Sequence, residues 1–322
     1  MALATVIADG TVANAKTANP KIQGVVYYLN ESFRAAKLKL IVTPQVLATD
    51  LDGTLIPLDG NAQNVQDLRL IDEQLSLTGM KMLFVTGRHL ASIINVMAEK
   101  GLPQPDWIIG DVGTSIYRPE ISKATSEPNA PATPCAVASN YVLEDEYVEH
   151  LQELVGDFGV ARLADCLKSI GDLRLQEPEK QTRFKLSYYV DHARSSTAMQ
   201  LIEQRLGETR APYSVVASRD PFNDVGLIDL LPHQVTKAYA MDWWAEQQSI
   251  DRLAILYAGD SGNDSAVFAA GYRSIVVANA APEVLHAARA AHAQAGWSNR
   301  LFAAPAPATS GLLAGLKHYC SL

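Results

Sequence analysis

The stretch VLATDLDGTLIPLDG, residues 46–60, constrains the fold more than any other: a short apolar run leads straight into Asp50 and Asp52, then Gly53 and Thr54. An apolar run ending in turn-forming residues reads as a buried strand and its carboxyl end. Two carboxylates at such a place repel each other and resist burial, so a chain that puts them there needs a cation or a proton to share.

The same pattern then repeats. NVQDLRLIDEQLSLTG sets Val65, Leu68, Ile71 and Leu75 at helical spacing and stops at Gly79, after which KMLFVTGR is again a strand and a turn. ASIINVMAEKGLP and DWIIGDVGTSIY supply the next helix and strand. Right-handed β-α-β units build a parallel sheet whose ligands sit off the carboxyl ends of its strands. ISKATSEPNAPATP breaks the rhythm with loop residues, and beyond it lie a helix candidate over 144–158 and the strand candidates RFKLSYYVD and YSVVAS. The repeat resumes with TKAYAMDWWAEQQ, LAILYAGDSGND, SIVVAN and APEVLHAARAAHA, and ATSGLLAGLKHYC makes the last helix. The expected class is α/β, a Rossmann-like parallel-sheet core with an inserted α+β domain. Residues 1–45 form an extension, 46–118 and 226–322 the core, and 119–225 the insertion; an amphipathic helix is expected over 25–40.

Composition excludes several partners. The net charge is −8 and no Lys/Arg run occurs, so neither nucleic acid nor an anionic membrane surface is expected to bind. No segment approaches the ~20 apolar residues of a membrane span. The first residues carry no basic leader, and Asp9 interrupts their apolar stretch, which points to the cytoplasm. Cys135, Cys166 and Cys320 lack metal-ligand spacing and suit a reducing compartment. Oligomeric state is left open.

Three further polar segments suit the opening pair: Thr86 and Gly87 in FVTGR, Lys237 in HQVTKAYA, and Asp260, Asn263 and Asp264 in YAGDSGND. Asp50, Asp260 and Asp264, with the main-chain carbonyl of Asp52, can offer oxygen to Mg²⁺, a hard cation that takes one or two protein carboxylates beside a phosphate. Asp50 then suits a nucleophile toward phosphorus, and Asp52 the acid that protonates the leaving oxygen and the base that activates water. Thr86 provides a hydroxyl for phosphoryl oxygens, and Lys237 a charge against the one that builds on them. Trp243 and Trp244 read as core residues. His89 reads as a helix-start residue or a substrate contact, and Arg88 as a cap or salt bridge.

Taken in order, DLDGT, TGR, the lysine and GDSGND resemble the four motifs of the haloacid dehalogenase (HAD) superfamily of phosphatases, over roughly residues 46–283. The resemblance implies that Asp50 is the nucleophile, Asp52 the acid/base, Thr86 the phosphate-binding residue, Lys237 the motif lysine, and Asp260 and Asp264 the acidic pair at the metal. The insertion is similar to the class IIB cap. PDWIIGDVGTSIY, FKLSYYVD and IDLLPHQVTKAYA resemble the sucrose-phosphate phosphatase branch. That likeness implies a phosphorylated sugar as substrate, with Lys185 reaching it from the cap and Gly113 and Thr114 beside the cleft. Gly53, Leu55, Ala238 and His89 depart from residues usual in that branch. Two alternatives stay open: a phosphosugar mutase, which returns the phosphoryl group to the sugar, and a non-enzymatic phospho-acceptor, which needs neither Asp52 nor a cap.

Overall fold

The computed structural model describes residues 3–8, 11–16, 42–120, 141–219 and 225–320. Met1–Pro44 and Gln45–Leu322 form separate compact units. In the first, β1 (Leu3–Ala8) and β2 (Thr11–Lys16) pair antiparallel with Ala8 opposite Thr11. The helix expected over 25–40 lies outside the described residues.

In the second unit, β3 (Val46–Thr49) is buried at every position, as befits a strand covered on both faces. Val46 and Ala48 join one apolar layer and Leu47 the other, the period of two that a pleated strand imposes. Helix α1 (Ala62–Thr78) starts where the Asn61 side chain accepts from Asn64 N and ends at Gly79 in the left-handed region. It buries Leu68, Ile71 and Leu75, whereas Val65, expected on that face, is 46% exposed. Strand β4 (Lys81–Val85) follows, then α2 (Leu90–Lys100), β5 (Trp107–Gly110), β6 (Ser115–Pro119) and β7 (Tyr141–Leu143).

A second sheet comes next. Helices α3 (Asp145–Val155) and α4 (Val160–Leu167) precede β8 (Arg174–Leu175) and β9 (Leu186–Asp191); α5 (Ser195–Thr209) then leads to β10 (Tyr213–Arg219) and β11 (Val225–Pro232). These strands pair antiparallel in the order β10-β11-β9-β8. The chain returns through α6 (Lys237–Gln247), β12 (Ile255–Gly259), the short α7 (Ser265–Phe268), β13 (Arg273–Val276), α8 (Pro282–Gln294), β14 (Leu301–Ala303) and α9 (Ala308–Cys320).

The large sheet runs β14-β13-β12-β3-β4-β5-β6-β7. Its strands are parallel from β14 to β5, and β6 and β7 are antiparallel. From β3 the chain builds outward through β4 and β5, then crosses to lay β12, β13 and β14 on the other side. The strand order therefore reverses between β3 and β12, and the crevice of such a sheet opens at the carboxyl ends of those two strands. Two sequence boundaries shift. Strand β7, expected in the insertion, pairs with β6 at Tyr117↔Leu143 and belongs to the large sheet. Strand β11, expected in the core, pairs with β9 and β10 in the small one. Strands β6 and β7, on either side of the first boundary, are neighbours in the large sheet, and β11 pairs antiparallel with β10, so neither boundary coincides with a change of sheet.

Candidate active site

The switch between β3 and β12 brings Asp50 and Asp260 side by side. Thr49 is in register with Ala258, and Asp50 N donates to the Ala258 carbonyl at 2.9 Å. The turn after Asp50 passes close to the β12 loop at Gly53, where φ is +72° and a Cβ would run into the Asp260 carboxylate; glycine is required on both counts. Thr54 Oγ1 donates to Asp260 Oδ1 at 3.3 Å.

Lys237, the first residue of α6, is wholly buried. Its Nζ lies 3.1 Å from Asp50 Oδ1 and 2.7 Å from Asp264 Oδ1. Asp264 takes four donors: Lys237 Nζ and the Tyr257 hydroxyl on Oδ1, and Asp260 N and Ser261 N on Oδ2. These bonds hold Asp264 beside Asp50 and Asp260, in the acidic group where the sequence places a metal. A carboxylate so engaged holds the β12 loop and the lysine in place.

Oxygens of Asp50, Asp260 and Asp264 lie within 4.8 Å of one another. One ammonium among three carboxylates leaves the cluster short of positive charge. Burial pushes the Asp50 pKa up to about 8 against the lowering effect of Lys237, with Asp264, Asp260 and Asp52 adding to the rise. Asp260 is pushed up to about 6, by burial first and then by Asp264. Burial alone would lower the Lys237 pKa, but Asp264 and Asp50 outweigh it and hold the pKa above its ordinary value. The all-oxygen donor set of Asp50, Asp260 and Asp264, short of positive charge, suits a hard divalent cation.

Asp52 stands apart from this cluster. Its carboxylate is clamped by Arg88, Nη2 at 2.6 Å from Oδ1 and Nε at 2.7 Å from Oδ2, with the side chains 30% (Arg88) and 50% (Asp52) exposed. The hydrogen bond to Asp52 raises the Arg88 pKa. The Asp52 side chain is thus outside the acidic cluster, because a bidentate guanidinium competes for it. Thr86, at the end of β4, is buried, and its Oγ1 accepts from Arg88 N at 3.2 Å. Gly87 separates the two. Asn263 Oδ1 accepts from Ser261 Oγ at 2.8 Å inside the β12 loop. His89 caps α2, its Nδ1 accepting from Ser92 N at 3.4 Å. Trp244 is buried in the core, and Trp243 lies half-buried against Tyr147, their ring centroids 4.8 Å apart.

The turn after β5 is distorted. Asp111, Val112 and Gly113 have φ of +52°, +60° and +99° in succession. For the β-branched valine that is an outlier, of the kind that costs ~1–3 kcal/mol and survives only where neighbours over-determine it. Gly113 abuts the Thr236 carbonyl, and a Cβ there would collide with it. Changing Gly113 to Ala is expected to destabilise the fold by ~2 kcal/mol or more, read as a lower midpoint in urea with the slope unchanged. The Thr114 hydroxyl donates to the Asp111 carbonyl at 3.0 Å, inside the turn. Lys185, expected to reach the substrate, is buried, with its ammonium 3.0 Å from Asp111 Oδ1. A buried carboxylate within reach captures the amine.

Sequence reasoning passed over Asn279 and Tyr257. Asn279 Nδ2 donates to the Gly53 carbonyl at 2.8 Å and to Asp260 Oδ2 at 3.3 Å, while its Oδ1 accepts from Ala308 N at 2.8 Å. It follows the apolar run of β13, so the strand-end rule that found the other groups also points to it. Tyr257 lies within an apolar strand, and only its hydroxyl contact with Asp264 reveals a task. A cavity of about 740 Å³ between α3, α5 and the start of β10 includes none of the acidic cluster in its lining.

The sucrose-6F-phosphate phosphohydrolase family matches residues 43–129 and 133–320. A HAD-like hydrolase of Nitrosococcus oceani is 36% identical over 240 residues, 74% of this chain and 60% of that protein, so this chain spans well under two thirds of that relative's length. A mannosylfructose-phosphate phosphatase of Agrobacterium fabrum is 29% identical over 277 residues, 85% of this chain and 96% of that one. The crystal structure of the sucrose-phosphatase of Synechocystis sp. with sucrose and phosphate superposes with a TM-score of 0.67 at 25% identity, covering 86% of this chain and 98% of the other. With strand order, motif positions and family match in agreement, the chain belongs to the sucrose-6F-phosphate phosphohydrolase family of the HAD superfamily of phosphatases.

Proposed function

We propose that this protein is a Mg²⁺-dependent phosphatase that hydrolyses a phosphorylated sugar or glycosyl ester through an aspartyl phosphate. The observation that carries this reading is Lys237 Nζ bridging Asp50 and Asp264 at the switch point, beside Asp260. Asp50 attacks phosphorus in line, a new bond forms from its carboxylate oxygen, and the bond to the sugar oxygen breaks. Asp52 leaves Arg88, takes up a proton from solvent and gives it to the departing oxygen; as a carboxylate it then takes a proton from the water that attacks phosphorus, the Asp50–phosphorus ester bond breaks and phosphate leaves. Lys237 holds Asp50 in place and balances charge on the phosphoryl oxygens, to which Thr86, Gly87 and Asn263 present polar groups from their loops. Mg²⁺ would be held by the carboxylates of Asp50, Asp260 and Asp264 and the Asp52 carbonyl, and would supply the positive charge that the cluster lacks. Gly113 and Thr114 border the cleft. Disaccharide-type phosphates are the favoured substrates, since the mannosylfructose-phosphate and sucrose enzymes are among the relatives. Among the described residues no helix is long and apolar enough to cross a membrane, which is compatible with work in the cytoplasm on a diffusible substrate.

Phosphate release is the test, across sucrose 6-phosphate, mannosylfructose phosphate, glucosylglycerol phosphate, trehalose 6-phosphate and simple hexose phosphates. Free phosphate is expected to match ester consumed, without an isomeric phosphosugar. EDTA is expected to lower the rate at least ~100-fold and excess Mg²⁺ to restore it, since a bound cation supplies several kcal/mol of charge stabilisation. Activity that persists in EDTA would remove the metal from the reading.

A further inference from the structure

We infer that Asp111 and Lys185 are positioning residues for Lys237: their buried ion pair joins the small sheet to the turn after β5 and holds that turn against the start of α6. Lys185 immediately precedes β9, and the pair is 5% (Lys185) and 1% (Asp111) exposed. Ser115 Oγ donates to the other Asp111 oxygen at 3.1 Å, and Asp111 N donates to the Arg88 carbonyl at 3.0 Å. From α3, the Tyr147 hydroxyl donates to the Gly113 carbonyl at 2.7 Å. The turn so gripped presses Gly113 on Thr236, the residue that caps α6 by accepting from Tyr239 N at 3.2 Å. Lys237 is the next residue. An unbroken run of contacts thus leads from β9 and α3 to the ammonium between Asp50 and Asp264.

Stability alone gives little reason for this pair, because apolar residues of similar volume commonly serve as well as a buried ion pair. Its partner is also a turn held at three successive positive φ values, a conformation that persists where surroundings enforce it and that gathers at functional sites. Specific placement accounts for both. Seating of the small sheet then sets the lysine, and the two sheets share one catalytic geometry.

This inference rests on the reading of Lys237 as part of a phosphoryl site. The test uses the full chain with Mg²⁺ and two substrates, p-nitrophenyl phosphate and sucrose 6-phosphate, together with amide hydrogen exchange over residues 236–240. Asp111→Asn and Lys185→Met are each expected to lower kcat by about tenfold or more on both substrates, with KM for p-nitrophenyl phosphate little changed, and to speed exchange at 236–240 by a similar factor. The double variant is expected to be no worse than the poorer single one, because the two residues act as a unit. Lys185→Arg, which keeps the charge, should recover much of the loss. Tyr147→Phe removes one hydroxyl only and is expected to move both readouts in the same direction by about twofold, which keeps a test in hand if the charge variants misfold. Loss confined to sucrose 6-phosphate would make Lys185 a sugar contact and overturn the inference. Unchanged exchange at 236–240 would overturn it too, whatever the activities. If the wild type releases no phosphate from either ester, the phosphatase reading fails separately, and the exchange data still decide the role of the pair.

Discussion

Replacing Asp50 with asparagine is expected to lower kcat by about 10⁴-fold or more, with the fold and the melting temperature retained. The substitution keeps the shape of the side chain and removes the anionic oxygen that would bond to phosphorus. Few neighbours compensate: Asp264 is engaged by four donors, and Asp52 is clamped by Arg88 outside the cluster. Stability should hold or rise in the metal-free protein, because burial already pushes the Asp50 pKa up to about 8 and an amide does not bear that cost. Rapid-quench detection of an acid-stable phosphoprotein, base-labile as an acyl phosphate is, gives the direct check: the wild type forms it within one turnover and Asp50→Asn does not. A variant that turns over at the normal rate would assign the nucleophile elsewhere and empty the mechanism of its first step.

The sheet and its crevice were legible because strands and their ends follow simple patterns. VLAT, KMLFV and ILYAG are buried strands, and the polar residues that follow each lie on the same edge because parallel strands all end there. Asn279 obeys the same rule, yet one asparagine after an apolar run looks like any loop residue until its contacts with Gly53 and Asp260 are seen. Tyr257 was hidden by the opposite circumstance, an apolar strand that carries one hydroxyl inward. The Asp111–Lys185 pair was unreadable in principle. Local pattern reports the face of an element, while the partner of a buried charge depends on how two sheets meet. The edges of the insertion were misplaced for a related reason, since β7 and β11 are strands whose sheet is decided by pairing across long stretches of chain. Arg88 was read as a cap or salt bridge; its bidentate hold on Asp52 adds what that reading could not supply, a competitor that Asp52 would have to leave to act as the proposed acid/base.

Lys237→Met is expected to cost both function and fold, and the pH at which the fold is lost identifies the groups responsible. The ammonium is fully buried, and its removal leaves Asp50 and Asp264 without the cation between them. Breaking a buried pair from one side costs ~3–5 kcal/mol, which for a protein of this size is a drop of roughly 10 °C in melting temperature. In the metal-free wild type, Asp260 titrates at about 6 and Asp50 at about 8, each above the ~3.9 of an unfolded aspartate. The folded state therefore holds more protons than the unfolded one between those values, and stability falls as pH rises through that window. Lys237 lowers both pKa values in the wild type, so the variant keeps its protons to higher pH and goes on losing stability after the wild type has levelled off. The raised pKa of Lys237 itself contributes stability that is fully present below the ~10.4 of a free lysine, so it is constant across this range. The melting-temperature gap, followed in EDTA from pH 5 to pH 9, is thus expected to widen above about pH 6 and again above about pH 8. A gap independent of pH would mean that the lysine is held by packing alone, and that the charge deficit of the cluster is not what draws a cation to it.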